Sequence, residues 1–360
     1  MACIKICFIL LINKGGMVHY VSQLCNSLAN NTECNVYLIT PKGINENLFD
    51  RRVILKKIPS VDRHGYRIDL MIKYLLEIKP DIIHTSMVHP FIVPLLPILK
   101  KIAPVVATVH DVQLHSDQKN FIFDLSTLIT SKCADLDFVH GEKLKLELIK
   151  RGVLNSKISV IPHGDYSFFS SVNQKEITEE ENTILFFGRI LDYKGIDYLI
   201  KTEPLISSKV SNFKIIIAGN GDFSKYENMI GNKNHFEIIN EYIPDEKVSE
   251  LFQKCSVVVL PYIEASQTGI IPIAYAFKKP VVATDVGSLS EVVIDGVTGF
   301  IVPPKDSQSL ADSLLNVLLN KNLKNSMGNA AYEFMKKNMS WEGIAQKTIG
   351  EYTKLIPNNC

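Results

Sequence analysis

The stretch ILFFGRILDYKGIDYLI, residues 184–200, decides how the chain is read. Ile184–Phe187 is a short, wholly apolar run, as expected of a buried strand. It stops at Gly188, and a cation, Arg189, follows at once. A second cation, Lys194, stands just before Gly195 and the apolar helical start Ile196–Leu199. A strand that ends in a glycine turn with two cations ahead of a helix is an anion grip. The cations bring fixed positive charge and the turn lets the backbone come close.

Outward from this stretch, short apolar β-branched runs alternate with longer amphipathic ones, which predicts parallel sheets covered by helices. One series precedes it. Strands are expected at Ile4–Ile12, Val36–Thr40, Val53–Ile58, Asp81–His84, Val105–His110, Phe138-Val139 and Ile158–Ile161, and helices at Tyr20–Leu28, Tyr66–Ile78, Phe91–Ile102 and Glu142–Arg151. A second series starts at Ile184, with further strands at Lys214–Ala218, Phe236–Ile239, Val257–Leu260, Val281–Ala283 and Phe300–Val302. The fold class expected is α/β, with two doubly wound Rossmann-like domains facing a cleft. The first spans residues 1–164. Residues 165–182 form a linker, because Ser170–Asn182 is polar and acidic. The second domain spans 183–340, and 341–360 forms a terminal helix free to pack back on either domain. Ligands of such sheets bind at the carboxyl ends of strands, where every glycine motif of this chain falls.

A length of 360 residues suits two domains, and 46% apolar with 21% charged residues is ordinary for a soluble globular chain. The net charge of +1 excludes a general nucleic-acid binder. Residues 1–164 hold 20 Lys and Arg against 14 Asp and Glu, which leaves 19 against 24 for the remainder. The first half is therefore the one suited to an anionic surface. Seven cysteines without a CxxC pair read as reduced thiols of a cytoplasmic protein. No run is long and apolar enough to span a bilayer, so membrane contact is expected to be peripheral.

Several motifs could carry chemistry. Gly15-Gly16 follows the first strand and opens a helix. Ala218-Gly219-Asn220-Gly221-Asp222 begins like a dinucleotide fingerprint but has Ser224 where the third glycine belongs, so it reads as a close-approach loop and not as a site for NAD. Ser266-Gln267-Thr268-Gly269-Ile270 opens a helix with exposed amides, or simply caps it. His110, with Asp111 beside it, ends an apolar strand, where an imidazole can handle a hydroxyl proton, bond a sugar or serve the fold. There is no P-loop, no GxSxG and no HExxH: His110 and His115 do not make a zinc pair. Asp135-Leu136-Asp137 is a DxD string without the aromatic or glycine context of a metal–diphosphate site, so no metal is expected.

Taken together these motifs resemble glycosyltransferase family 4, the retaining, metal-independent transferases of the GT-B fold. The resemblance rests on Gly15-Gly16, the His110 strand end, Ile161-Pro162-His163-Gly164, Phe187-Gly188-Arg189 with Lys194-Gly195, the Gly219–Asp222 loop and Pro280 through Phe300. It implies that Arg189 and Lys194 hold the diphosphate of a nucleotide sugar and that Gly269 and Ile270 offer it amides. It also implies that His110 lies by the transferred sugar and that the first domain takes the acceptor. The leading reading is transfer to a lipid-linked or growing glycan, with the basic first half set on an anionic membrane surface. Two glutamates usual in the family are missing, their places held by Ala265 and Ile273. A same-fold nucleotide-sugar epimerase and a non-catalytic binding subunit are the alternative readings.

Overall fold

The computed structural model describes residues 3–61, 65–112, 121–172 and 177–356. His115, Cys360 and the centre of the expected linker lie outside the described residues. The chain divides into two compact units. The first comprises the described residues up to Gly164 together with those from Ser340 on, and the second runs from Asp165 to Met339.

In the first unit the strands are β1 (Ile4–Ile9), β2 (Cys34–Pro41), β3 (Ile54–Ile58), a two-residue pair β4 (Ser60–Val61) and β5 (Gly65–Tyr66), then β6 (Ile82–Thr85), β7 (Val105–Thr108), β8 (Leu136–Val139) and β9 (Ile158–Val160). Seven of them form one parallel sheet in the order β3-β2-β1-β6-β7-β8-β9. Alternation along β1 shows why both faces are apolar. Ile6 and Phe8 pack with the helix Gly16–Asn30, while Cys7 and Ile9 pack with the helices Ile68–Ile78 and Leu96–Ile102. The helix Trp341–Leu355 completes the first of these faces through Trp341, Ile344, Ile349 and Tyr352. The helix Phe121–Cys133 has no counterpart among the expected elements.

The second unit holds β10 (Thr183–Phe187), β11 (Lys214–Ala218), β12 (Phe236–Ile239), β13 (Val257–Leu260), β14 (Val281–Thr284) and β15 (Gly299–Val302), parallel in the order β12-β11-β10-β13-β14-β15. Both sheets reverse their strand order beside the first strand, between β1 and β6 and between β10 and β13. Such a reversal opens a crevice at the carboxyl ends.

The expected linker does not hang between the units. Phe169, in a short helix Phe169–Val172, is buried in the second core. Further on, Glu179 is bonded to Ser256, Lys279 and Lys324, Glu180 pairs with Lys254, and Glu181 with Lys321. The acidic run that reads as a solvated linker is thus matched residue by residue to lysines of the second unit.

Candidate active site

In the second unit, four loops at the carboxyl ends of the strands are bonded one to the next. After β10, Gly188 N donates to Ala218 O at 2.9 Å and Ile190 N to Asn220 O at 2.9 Å. The β10 and β11 loops therefore run side by side. They approach so closely that a Cβ at Gly219 would stand 1.9 Å from Gly188 O, and one at Gly221 2.2 Å from Ile190 O. The missing third glycine of the fingerprint is explained here too, since Ser224 donates to Asp222 Oδ1 and stays out of the contact.

The turn Asp192–Lys194 is joined to the loop after β13 by Ile263 N donating to Tyr193 O at 2.7 Å. Gly195 takes φ +66° with its Cα against Pro261 O, leaving no room for a side chain. The β13 loop is joined in turn to the loop after β14, with Ser288 N donating to Ser266 O at 2.9 Å. Arg189, Lys194, Gly219, Gly221, Gln267, Thr268, Gly269 and Ile270 all stand on these knitted loops.

Arg189 is exposed and makes no ion pair among the described residues. Lys194 is half-buried, its ammonium 3.6 Å from the centre of the Tyr262 ring. Tyr262 is fully buried, burial pushes its phenol well above the usual range, and its carbonyl accepts from Thr284 Oγ1 at 2.6 Å. The platform under the lysine is thus neutral and fixed. Thr268 Oγ1 accepts from Ile270 N at 3.3 Å, and Gln267 Oε1 is sealed from solvent without a hydrogen-bond partner among the described residues. Ile273 is buried in the core, so its apolar character fits its surroundings.

In the first unit, Gly15 takes φ +88° and Gly16 begins the helix Gly16–Asn30. A Cβ at either would meet nothing within 4 Å, so the backbone there is open to approach. His110, half-buried, follows β7. Its Nε2 lies 3.2 Å from Ser86 O and its Nδ1 3.1 Å from His140 Nε2. His140 Nδ1 lies 2.9 Å from Ile161 O. Tyr20 presents its ring to His110, His140 and His163 at centroid distances of 5.0, 5.3 and 5.2 Å. Burial lowers His110 to about 3, His163 to about 4 and His140 well below its ordinary value.

Sequence reasoning singled out His110 alone. It quoted His163 within a motif of the resemblance without giving it a role, and it missed His140 and Tyr20, although the histidines follow β8 and β9 as His110 follows β7. Asp135 accepts from Val105 N and pairs with Lys100 at 2.8 Å. Asp137 lies inside β8, which begins two residues before the expected strand Phe138-Val139, and is fully buried. No group of three or more potential metal ligands exists among the described residues.

The sequence matches two family descriptions in tandem, Glycosyltransferase Family 4 over residues 14–164 and Glycosyl transferases group 1 over 168–334. This chain belongs to the family 4 type of glycosyltransferase. The transferase is 28% identical over 273 residues to glycosyltransferase MJ1607 of Methanocaldococcus jannaschii, covering 69% of each chain. To MJ1178 of the same organism it is 34% identical over 194 residues, 52% of this chain and 53% of that one. It is 28% identical over 173 residues to the phosphatidyl-myo-inositol mannosyltransferase of Mycobacterium leprae, 47% of this chain and 46% of that one. The transferase thus spans about half the length of the last two. Among solved structures, sucrose-phosphate synthase of Thermosynechococcus elongatus superposes with a TM-score of 0.79 at 19% identity, over 98% of this chain and 99% of that one. Anabaena HepE in complex with UDP-glucose gives 0.76 at 17%, over 98% and 100%. These likenesses establish the GT-B fold of the transferase.

Proposed function

We propose that this glycosyltransferase is a retaining, metal-independent hexosyltransferase. It moves a sugar from a nucleotide diphosphate sugar onto a lipid-linked or growing surface glycan, at the inner face of the cytoplasmic membrane. The observation that carries the reading is Arg189, exposed and without an ion pair among the described residues, on the loop shared with Lys194 at the strand-order reversal of the second unit.

Breaking the bond between sugar and phosphate leaves negative charge on the departing diphosphate. Arg189 and Lys194 neutralise that charge where it develops, on loops already bonded in place, so little reorganisation accompanies the step. Gly188, Gly219 and Gly221 keep the floor of the loops bare of side chains. Gln267, Thr268, Gly269 and Ile270 offer polar atoms and amides to the phosphates, and Gly15-Gly16 leaves backbone open to the sugar or acceptor. His110, neutral because it is desolvated, bonds the transferred sugar. HepE was solved with UDP-glucose, and one relative is named as a mannosyltransferase of phosphatidyl-myo-inositol, which supports a nucleotide-sugar donor and a lipid-linked acceptor.

Incubation with a panel of nucleotide sugars tests the reading. Nucleotide released only when a glycan or lipid-linked acceptor is present is the expected result. An isomerised donor would make the protein an epimerase, and binding without turnover would make it a binding subunit.

A further inference from the structure

His110 and His140 form a chain of three contacts closed at both ends by carbonyls: Ser86 O, His110 Nε2, His110 Nδ1, His140 Nε2, His140 Nδ1, Ile161 O. The distances are 3.2, 3.1 and 2.9 Å. Both carbonyls can only accept, so three contacts call for three N–H hydrogens. Two neutral imidazoles carry two. One contact must therefore stand without a hydrogen whenever the pair is neutral, and the structure indicates which.

His140 is buried, and among the described residues its two ring nitrogens meet Ile161 O and His110 alone. A lone pair turned on Ile161 O at 2.9 Å would face an acceptor with no other donor in reach. The same holds for two lone pairs facing each other at the inner contact. His110 is only half-buried, and its Ser86 contact is the longest of the three. The lone pair left over is tolerable there, because a hydroxyl from outside can donate to it.

We propose that His140 is a positioning residue that holds His110 in the tautomer with its hydrogen on Nδ1, leaving Nε2 as a bare acceptor. His140 Nδ1–H donates to Ile161 O, and His140 Nε2 accepts from His110 Nδ1–H. His110 Nε2 is then the single nitrogen at which the pair exchanges hydrogen bonds, or a proton, with a bound hydroxyl. Taking up one proton at Nε2 turns it from acceptor into donor toward Ser86 O and ends its capacity to accept.

The titratable groups facing the pair are Tyr20 from the helix Gly16–Asn30, His84 from β6 and His163 after β9. Burial keeps each of them in its neutral form. Trp341 closes the Tyr20 side, and the next acids along the chain, Asp111 and Glu142, are exposed.

Nitrogen-15 NMR of histidine-labelled protein at neutral pH tests the tautomer without reference to any activity. The expected spectrum gives His110 a protonated Nδ1 and an unprotonated Nε2. In His140→Ala the hydrogen should move to Nε2, while His140→Gln, which retains an acceptor, should keep it on Nδ1. A hydrogen on Nε2 of His110 in the unaltered protein overturns the proposal, and that measurement needs no variant to fold.

The kinetic arm rests on the reading of His110 as the sugar contact. His140→Ala should lower kcat by at least about tenfold with donor KM little changed and His140→Gln should restore most of it. Loss of the tautomer in His140→Ala with unchanged kcat would remove the functional role of His110 and leave the positioning role standing. Unchanged tautomer in that variant would remove the positioning role.

Discussion

Lys194 rests its ammonium 3.6 Å from the centre of the Tyr262 ring, and that ring is completely buried. That aromatic face helps to hold the cation at one point in space before any anion arrives. Arg189→Ala and Lys194→Ala should each cost a few kcal/mol of transition-state stabilisation, roughly a hundredfold or more in rate, with folding intact by circular dichroism. Tyr262→Phe keeps the ring and should retain most of the turnover, whereas Tyr262→Leu should not. Near-normal rates in both cation variants would sink the assignment of the diphosphate grip.

His110→Ala should reduce turnover by on the order of a hundredfold while leaving the affinity for the donor nucleotide nearly unchanged. Calorimetric titration with nucleotide beside initial-rate kinetics separates the two quantities. Wild-type turnover would make the residue part of the Tyr20 packing and nothing more.

Transfer should continue in EDTA at its full rate, because Arg189 and Lys194 supply the positive charge that a divalent ion would otherwise bring. Loss of turnover in the chelator, recovered with magnesium or manganese, would reject the metal-independent mechanism.

Asp137 should tie stability to pH in an unusual direction. Both its oxygens are sealed in β8 without a geometrically formed hydrogen bond among the described residues, and Ser131 and Lys157 nearby favour the charged form too weakly to offset burial. Desolvation raises the carboxyl from 3.8 to about 8. The folded state therefore binds a proton that the unfolded chain releases above about 4, and this contribution to stability declines as pH rises from about 4 to about 8. Asp137→Asn removes the term. Its thermal midpoint should exceed that of the unaltered protein by a few degrees at pH 8, and the gap should close toward pH 4. A gap independent of pH would mean that the carboxyl is not protonated in the fold.

Attachment to anionic membranes should be weak and salt-sensitive. Of the cations that give residues 1–164 their excess, Arg52, Lys57, Lys100 and Arg151 are already paired with Asp50, Glu46, Asp135 and Asp124. Arg51, Lys101, Lys145 and Lys150 make no ion pair among the described residues, and anionic lipid contributes about 1 kcal/mol for each cation near the surface. Phe121, Ile122 and Leu125, exposed on one helix, add an apolar contact. Co-sedimentation with vesicles should require anionic lipid and weaken as salt rises. Equal binding to neutral vesicles, or none at low salt, would exclude it.

The apolar runs made the strands readable, because a strand buried on both faces has almost no freedom in composition. Lys214–Ala218, Phe236–Ile239 and Val257–Leu260 begin and end where the residue pattern places them. The helix Phe121–Cys133 escaped notice since its start exposes Phe121, Ile122 and Leu125 while its buried face carries Ser126, Thr127, Thr130 and Ser131, the reverse of the usual stripe. The anion grip was legible as glycines and cations. What joins those loops is backbone hydrogen bonding, for instance Ile263 to Tyr193, which leaves no mark on residue type. The histidine cluster was legible only as separate strand ends, since Tyr20, which gathers it, arrives from another element.

The last helix gives the chain an inverted order of completion during synthesis. The second unit is one continuous segment, Asp165 to Met339, and can close as soon as it has left the ribosome. The first unit is made earlier but waits for the final stretch. Trp341 must come to lie on Gly164, where a Cβ would stand 2.2 Å from its ring, and Tyr352 must bring its hydroxyl to His84. Until then Tyr20 and His84 lack the side chains that shield them. A chain cut after Gly164 would leave the earlier-made half with its apolar face open, and supplying residues 340–360 as a separate peptide should rescue its solubility.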